Sequence, residues 1–203
     1  MTITWYGHSC FKIDSAAGSV VLDPYESGSV PGLSLPPVSA DLVLCSHGHH
    51  DHCGEDLVQP TGRPCDIVSE QLACWHDDQQ GALRGANTIH IINAEGLRIV
   101  HLGDLGHELP EGQRKALGHV DVLLLPVGGF YTIDAPTAKR VADSIGASVT
   151  VPMHYRGDGF GYAEIGTLDA FTSLCDDVVY AEGNSFQPVY GEDRKTLVLK
   201  LVK

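Results

Sequence analysis

Residues 45–53 read CSHGHHDHC and hold four histidines, one aspartate and two cysteines. The residues before them, DLVLCS at 41–46, form an apolar run of strand length, which we interpret as a strand buried on both faces. The stretch contains the pattern His-x-His-x-Asp-His, formed by His47, His49, Asp51 and His52. Imidazole and carboxylate groups together suit zinc, manganese or iron. We therefore expect a metal site where this strand ends.

Two members of the stretch fit the site less well. In an extended segment His50 faces away from its neighbours, so we expect it in solvent or in a supporting hydrogen bond. Cys53 is more typical of a small buried residue than of a ligand. The alternative for the whole stretch is a surface loop that binds metal adventitiously, and the four-residue pattern after an apolar strand argues against it.

Further ligands are needed from elsewhere in the chain, and two other strand ends offer them. IVHLGDLGH, residues 99–107, places Gly103 and Asp104 after an apolar run. VPMHY, residues 151–155, does the same for His154. An aspartate at the first position can bridge two metal ions, and a histidine at the second can complete the site of one of them.

These motifs, in this order, resemble the metallo-β-lactamase fold superfamily. The closer resemblance is to its small bacterial branch, which includes the ascorbate-6-phosphate lactonases. The blocks that carry it extend from Trp5 to Tyr155: WYGHSCFKI (5–13), VVLDPY (20–25), HLGDLGH (101–107), DVLLLPVGGFYTIDA (121–135) and VPMHY (151–155). They are specific for the fold and the metal site, and less so for the substrate.

The resemblance implies an α/β fold and a dinuclear centre. The fold is a four-layer αβ/βα sandwich of two mixed β-sheets flanked by helices, formed by residues 1–203 as a single domain, with the site at one edge between the sheets. The cofactors are two divalent metal ions, zinc or, alternatively, manganese or iron. The first ion is held by His47, His49 and a third histidine, the second by Asp51, His52 and His154, and Asp104 bridges them.

The third histidine has three candidates, His90, His101 and His107. His101 is favoured because it lies three residues before Asp104 in the HLGD block. If His101 is not a ligand, we expect it to orient Asp104 or another group of the site.

Other residues are candidates for catalysis or substrate binding. Asp51 or Asp104 can accept a proton from a water molecule that attacks the substrate. His8, in the YGHS turn, is placed near the metal by the resemblance, although a structural role in the turn is the alternative. Asp23 can hydrogen-bond a ligating histidine, or simply start a turn. Arg156 can pair with an anionic group of the substrate or lie in solvent.

The remaining pattern predicts the elements around this site. Residues 2–6, 10–13 and 19–22 predict a β-meander, and residues 87–92 and 97–102 predict a hairpin joined by NAEG. A short helix is predicted over residues 70–77. A second helix is predicted over residues 134–146, with Asp134 at its start, Pro136 in its first turn and Gly146 after its end. Loop 128–134 is expected to form a wall of the pocket.

Charge limits the classes of partner. The chain has 26 acidic and 13 basic residues, a formal net charge of −13, with no cluster of lysine and arginine. This argues against nucleic acid and against anionic membrane surfaces, both of which bind basic patches. The N-terminus is unlike a secretory signal, so we expect a cytoplasmic protein rather than an exported β-lactamase. The sequence does not predict an oligomeric state.

The favoured function is therefore a metal-dependent hydrolase in which a metal-activated water attacks an ester, a lactone or a phosphodiester of a small molecule. The alternatives are a non-hydrolytic metal-binding or redox member of the same fold, and a binding module that has lost catalysis. Every expected ligand except the third histidine can be assigned, which argues against the last of these.

Overall fold

Two β-sheets pack face to face in the computed structural model, which describes residues 1–202. The strands are β1 (Thr2–Gly7), β2 (Cys10–Ser15), β3 (Gly18–Leu22), β4 (Val38–Ala40), β5 (Leu42–Leu44), β6 (Val58–Pro60), β7 (Val68–Trp75), β8 (Ala86–Ala94), β9 (Leu97–His101), β10 (Val122–Pro126), β11 (Val149–Met153), β12 (Val178–Tyr180), β13 (Ser185–Phe186) and β14 (Lys195–Val198). The α-helices within residues 1–202 are α1 (Glu111–Leu117), α2 (Ala135–Ile145) and α3 (Asp169–Thr172), and a 3-10 helix spans Glu55–Leu57.

The first sheet has the strand order β13-β1-β2-β3-β5. Strands β1, β2 and β3 form the predicted antiparallel meander. Strand β5 pairs in parallel with β3 and lies at the edge of the sheet. The expectation that this strand is buried on both faces is wrong, because an edge position leaves Leu42, Val43 and Leu44 only half-buried.

The second sheet has the order β12-β14-β11-β10-β9-β8-β7. Strands β8 and β9 form the predicted hairpin. Strands β9, β10 and β11 are parallel, so their C-terminal ends lie along one edge of the sheet. Strand β10 is buried along its whole length, as its continuous apolar sequence indicates.

The helix predicted over residues 70–77 is a strand instead. This segment, in β7, pairs with β8 in antiparallel register from Val68 opposite Asn93 to Trp75 opposite Ala86. Glutamate, glutamine, leucine and alanine favour a helix locally, but pairing with the apolar β8 outweighs that preference. Because a helix was predicted here, the position of His76 directly after a strand was not recognised.

The core fills the space between the two sheets. Ile3 and Phe11 of the first sheet belong to the same buried cluster as Ile89 and Leu123 of the second. On the other face of the first sheet, Val21 packs in a smaller cluster with residues of the loop after β3 and of the pair β4–β6.

The predicted helix α2 packs on β10 and contacts both α1 and α3. It has the expected ends: the Asp134 carboxylate accepts a hydrogen bond from the Thr137 amide at 2.9 Å, and Gly146 adopts a left-handed conformation. No helix within residues 1–202 combines the length and the apolar character needed to cross a membrane.

Candidate metal centre

Four strand ends, one from the first sheet and three from the second, meet at one edge of the sandwich. The loop after β5 carries the His-x-His-x-Asp-His pattern. The other three strands, β7, β9 and β11, are followed by His76, by Gly103 and Asp104, and by His154. Parallel strands end at the same edge of a sheet, which explains how β9 and β11 bring residues 50 positions apart into one site.

The first group of ligand-type side chains is His47, His49 and His76. Each offers a ring nitrogen, and these nitrogens lie within 4.8 Å of one another. His47 Nε2 is 3.0 Å from His49 Nδ1, and the His47 and His76 ring centroids are 4.7 Å apart. Three imidazoles so arranged can hold a single divalent ion.

The second group is His8, Asp51, His52 and His154, whose ligand atoms also lie within 4.8 Å of one another. Asp51 Oδ2 is 3.3 Å from His8 Nε2, and the rings of His8 and His154 have centroids 4.1 Å apart. His8 is therefore in direct contact with the ligand-type side chains of this group.

Asp104 lies between the two groups. Its Oδ2 atom is 3.2 Å from His52 Nε2, 3.3 Å from His76 Nε2 and 3.3 Å from His154 Nε2. A single carboxylate oxygen thus faces histidines of both groups, which is the arrangement expected of a bridging ligand.

Several buried polar atoms here lack hydrogen bonds. Within residues 1–202, His52 Nε2, both ring nitrogens of His154 and Asp104 Oδ1 have no hydrogen-bond partner. Leaving such atoms unpaired costs free energy, whereas a cation would engage ring nitrogens and carboxylate together. The donor set therefore fits divalent metal ions.

Asp23 supports the cluster through hydrogen bonds without being a member of either group. Its carboxylate accepts hydrogen bonds from the Ser46 amide at 2.6 Å and the Ser46 hydroxyl at 2.6 Å, and lies 2.7 Å from His52 Nδ1. The histidine contact that the sequence proposed for Asp23 is therefore present. It turns Nε2 of His52 towards Asp104, the orientation in which a ligating histidine is usually held.

Burial keeps some histidines of the centre neutral, while the buried carboxylates favour a positive charge between them. Burial lowers the pKa of His8 to about 4 and that of His47 to about 3, which leaves both rings neutral at pH 7. Burial also opposes charge on His52, but the carboxylates of Asp104 and Asp23 outweigh it and raise the pKa of His52 well above its usual value. Neutral imidazole is the form that binds metal.

The backbone is strained at three positions of the site. His8, Asp23 and His154 have φ angles of +50°, +46° and +52°, and they are half of the six non-glycine residues with positive φ within residues 1–202. Each such conformation costs on the order of 1–3 kcal/mol and typically persists where function requires it. These backbone conformations direct the three side chains towards the metal centre.

Close packing explains the glycine before Asp104. A Cβ on Gly103 would lie 2.4 Å from Asn87 Oδ1 and 2.5 Å from Ser46 Cβ. Asn87 Oδ1 in turn accepts the Asp104 amide at 2.9 Å. A larger residue at position 103 would push the β9 end away from the loop that carries His47.

His101 does not lie with His47 and His49 as expected; His76 lies with them instead. His101 is fully buried, with Nε2 2.9 Å from the Ser9 carbonyl and Nδ1 accepting the Gly103 amide at 3.1 Å. The other two candidates also lie outside the groups: His90 Nε2 contacts the Cys45 carbonyl, and His107 Nε2 accepts the Trp75 amide. His76 was missed because β7, the strand that it directly follows, was predicted as a helix.

Arg156 does not join the site. It is exposed and borders a separate cavity of about 710 Å³ whose walls include Trp5, Tyr155 and Phe160. Of the two alternatives that the sequence left open for Arg156, the structure shows the exposed side chain, away from the metal cavity.

The cavity at the centre measures about 290 Å³. Its lining residues are His49, Asp51, His76, Arg84, Asp104, Tyr131 and Tyr162. Tyr131 belongs to the loop 128–134 that was expected to form a wall. Arg84 and Tyr162 were not predicted from the sequence.

The two residues judged unsuited to ligation lie apart from both groups. His50 is 83% exposed in its side chain, with Nδ1 3.0 Å from Glu26 Oε1. Cys53 is half-buried rather than buried, and its thiol and that of Cys45 both donate to Glu55 Oε1, at 3.5 Å and 3.3 Å.

Comparison with known proteins identifies the family. Residues 2–154 match the family model described as the Beta-lactamase superfamily domain. The chain belongs to the metallo-β-lactamase superfamily. Its predicted fold class is thereby confirmed, and so is the superfamily resemblance.

Relatives of this metallo-β-lactamase-fold chain are named as hydrolases. The UPF0173 metal-dependent hydrolase of Methanoregula boonei is 31% identical over 187 residues, which cover 76% of this chain and 82% of that protein. The UPF0173 metal-dependent hydrolase of Archaeoglobus fulgidus is 28% identical over 194 residues, covering 76% and 83%.

A solved structure from Thermotoga maritima, assigned as a Zn-dependent hydrolase of the metallo-β-lactamase superfamily, is 33% identical with a TM-score of 0.78 and covers 98% of this chain and 97% of that one. The chain is thus a metal-dependent hydrolase of this superfamily. The narrower resemblance to ascorbate-6-phosphate lactonases stays a prediction.

Proposed function

We propose that the chain hydrolyses an ester, lactone or phosphodiester bond of a small molecule at a dinuclear metal centre. The observation that carries the proposal is the position of Asp104 Oδ2, within 3.3 Å of Nε2 atoms from both histidine groups. A mononuclear site would need only one of these groups.

The ligand assignment follows the two groups. His47, His49 and His76 would hold one ion, Asp51, His52 and His154 the other, and Asp104 would bridge them. Zinc suits a set dominated by imidazole, and the Thermotoga maritima relative is assigned as zinc-dependent. Manganese and iron accept the same donors and remain the alternatives to test.

Two ions held here would supply Lewis-acid polarisation of the scissile group and lower the pKa of water towards neutrality. The chain's own contribution is to place proton acceptors beside the attacked bond. Asp51 borders the cavity, and its Oδ2 atom lies 3.3 Å from His8 Nε2 and accepts the Tyr162 hydroxyl at 3.2 Å. We assign to Asp51 the role of accepting the proton of the attacking water, while His8 and Tyr162 fix its carboxylate. Asp104 fixes the positions of the two histidine groups relative to each other.

The size of the cavity supports a small substrate. About 290 Å³ suits a metabolite-sized molecule and is at the low end for ligand pockets. The net charge of −13 also disfavours a long nucleic acid as the partner.

The proposal is tested on untagged protein, first by elemental analysis and then by hydrolysis. We expect about two divalent ions per chain after zinc reconstitution, and hydrolysis of at least one member of a panel of lactones, thioesters, phosphodiesters and β-lactams. Asp51→Asn should reduce kcat by about 100-fold or more with smaller change in KM. Full occupancy by a single ion, or equal activity of Asp51→Asn, would refute the dinuclear mechanism.

A further inference from the structure

Arg84 is the one lysine or arginine that borders the metal cavity in the described part of the chain. It shares this cavity with His76 and Asp104 but belongs to neither ligand group. The mechanism described above assigns it no role.

The loop that carries Arg84 is held rigidly. Asp77, next to His76, accepts four backbone N–H groups with its carboxylate, from Gln79 at 2.8 Å, Gly81 at 2.9 Å, Leu83 at 3.0 Å and Arg84 at 2.8 Å. Because the Arg84 amide is itself one of these donors, the base of the side chain has a fixed position relative to His76.

The guanidinium group is also positioned at its far end. One nitrogen, Nη2, donates to the Phe130 carbonyl at 3.0 Å, and the central carbon lies 5.7 Å from the Tyr131 ring centroid. A cation over an aromatic face is attracted by the ring. Arg84 is therefore attached to loop 128–134, on the side of the cavity formed by Tyr131.

The guanidinium of Arg84 is not paired with any of the acidic residues that the structure describes. Within residues 1–202 no carboxylate lies within 4 Å of its guanidinium, whereas Arg63, Arg98, Arg140 and Arg194 each pair with one. The two acidic residues of the same cavity, Asp51 and Asp104, face histidines instead. A half-buried cation that is positioned at both ends and unpaired can bind an anion of the ligand.

Aromatic groups lie beside this cation. Tyr131 and Tyr162 both border the cavity, with ring centroids 5.7 Å apart in an edge-to-face arrangement. They offer an apolar surface between Arg84 and the Asp51 end of the cavity. A ligand with a small flat or apolar body fits this surface better than a fully polar one does.

We propose that Arg84 binds an anionic group of the substrate, a carboxylate or a phosphate, whose body lies against Tyr131 and Tyr162 while the scissile bond faces the metal centre. This rests on the proposed function for the position of the scissile bond. The binding of the anion itself does not depend on hydrolysis.

The test uses the zinc-loaded chain and two probes that share a phenyl ring. Phenylphosphonate is anionic, and its P–C bond resists hydrolysis; dimethyl phenylphosphonate is the neutral counterpart. NMR titration measures the Kd of both probes for the original chain, Arg84→Ala, Arg84→Lys and Arg156→Ala. Arg156 is the matched control because it is an arginine outside this cavity. Zinc content is measured for each variant first.

We expect Arg84→Ala to weaken phenylphosphonate binding by about 10- to 100-fold, the usual worth of a hydrogen bond to a charged group, and to leave the neutral probe unchanged. Arg84→Lys should recover part of the loss, and Arg156→Ala should match the original chain. If Arg84→Ala weakened the binding of both probes equally, Arg84 would only support the loop, and the proposal would be overturned. An unchanged Kd of Arg84→Ala for phenylphosphonate would also overturn it. So would a lack of binding by the original chain at millimolar phenylphosphonate.

The outcomes separate the two proposals. Arg84-dependent binding without any hydrolysis in the panel would support the anion site and count against the proposed function. Hydrolysis by a chain whose phenylphosphonate binding does not depend on Arg84 would support the proposed function and count against the anion site.

Discussion

The imidazole of His52 has a carboxylate on each side, with Asp23 Oδ2 2.7 Å from Nδ1 and Asp104 Oδ2 3.2 Å from Nε2. The first contact fixes the ring and the second faces the metal site. The direction of the His52 ring is thus set by a buried carboxylate that lies outside both ligand groups.

Removal of Asp23 should therefore weaken metal binding without removing a ligand. We expect Asp23→Ala to reduce zinc affinity by about 10- to 100-fold, because His52 loses its orienting partner and Ser46 loses two hydrogen bonds. Competition with a chromogenic chelator measures the affinity.

Asp41→Ala is the control, since Asp41 likewise accepts the amide and hydroxyl of a serine, Ser19, but lies outside both groups. Equal loss of zinc affinity in both variants would show a general effect on the first sheet.

Variants of His76 and His101 should distinguish a metal ligand from a residue that stabilises the fold. His76→Ala is expected to lower zinc occupancy by about one ion per chain with a modest effect on the metal-free fold. His101→Ala should keep zinc and instead lose about 1–3 kcal/mol of unfolding free energy, because its buried hydrogen bonds to Ser9 and Gly103 disappear. Elemental analysis and urea unfolding of chelated protein measure the two effects, and the opposite pattern would restore His101 as the ligand.

At the scale of the elements, the sequence predicts most of what surrounds the site. The apolar runs of β10 and β11, the turn in the β8–β9 hairpin and the capping residues of α2 are local signals, and each element forms where its signal lies. Three of the four ligand-bearing strand ends could be predicted for the same reason.

The fourth strand end could not be predicted from local signals. Strand β7 is largely exposed, its residues 70–73 favour a helix, and it becomes a strand only by pairing with β8. Arg84 carries no sequence signal either, because its role depends on the Asp77 hydrogen bonds and on a loop 46 residues away. Both follow from contacts distant in sequence, which periodicity and turn chemistry do not report.

The ends of β7 and β9 are held together by a contact at Gly106. Its amide donates to the Trp75 carbonyl at 3.0 Å, and a Cβ there would lie 2.2 Å from the Asp77 amide nitrogen. We expect Gly106→Ala to separate His76 from Asp104 and to lower zinc occupancy, measured by elemental analysis.

Gly112→Ala is the matched control, since no atom lies within 4 Å of its added Cβ. Within α1 it should stabilise the chain by about 0.5–1 kcal/mol and keep zinc bound. Full zinc occupancy in Gly106→Ala would mean that this contact does not position the ligands.

At the scale of the whole molecule, the metal centre lies where the two sheets meet. His47, His49, Asp51 and His52 follow a strand of the first sheet, while His76, Asp104 and His154 follow strands of the second. Ions bound by both sets would link the sheets at one edge of the core, in addition to the apolar contacts between them. Metal binding and sheet packing should therefore be thermodynamically coupled.

Removal of the metal should lower the melting temperature measurably. A ligand that binds only the folded chain at about 100 times its Kd adds about 2.7 kcal/mol of stability, and each kcal/mol shifts the Tm of a chain this size by about 2–4 °C. Chelation should thus lower the Tm by on the order of 5–10 °C, and zinc should restore it in a concentration-dependent way. His76→Ala should show a smaller difference between the zinc-loaded and chelated forms, because one set of ligands is incomplete. A Tm that is the same with and without zinc would mean that the centre does not link the sheets, since any ion bound across them must stabilise the folded chain by mass action.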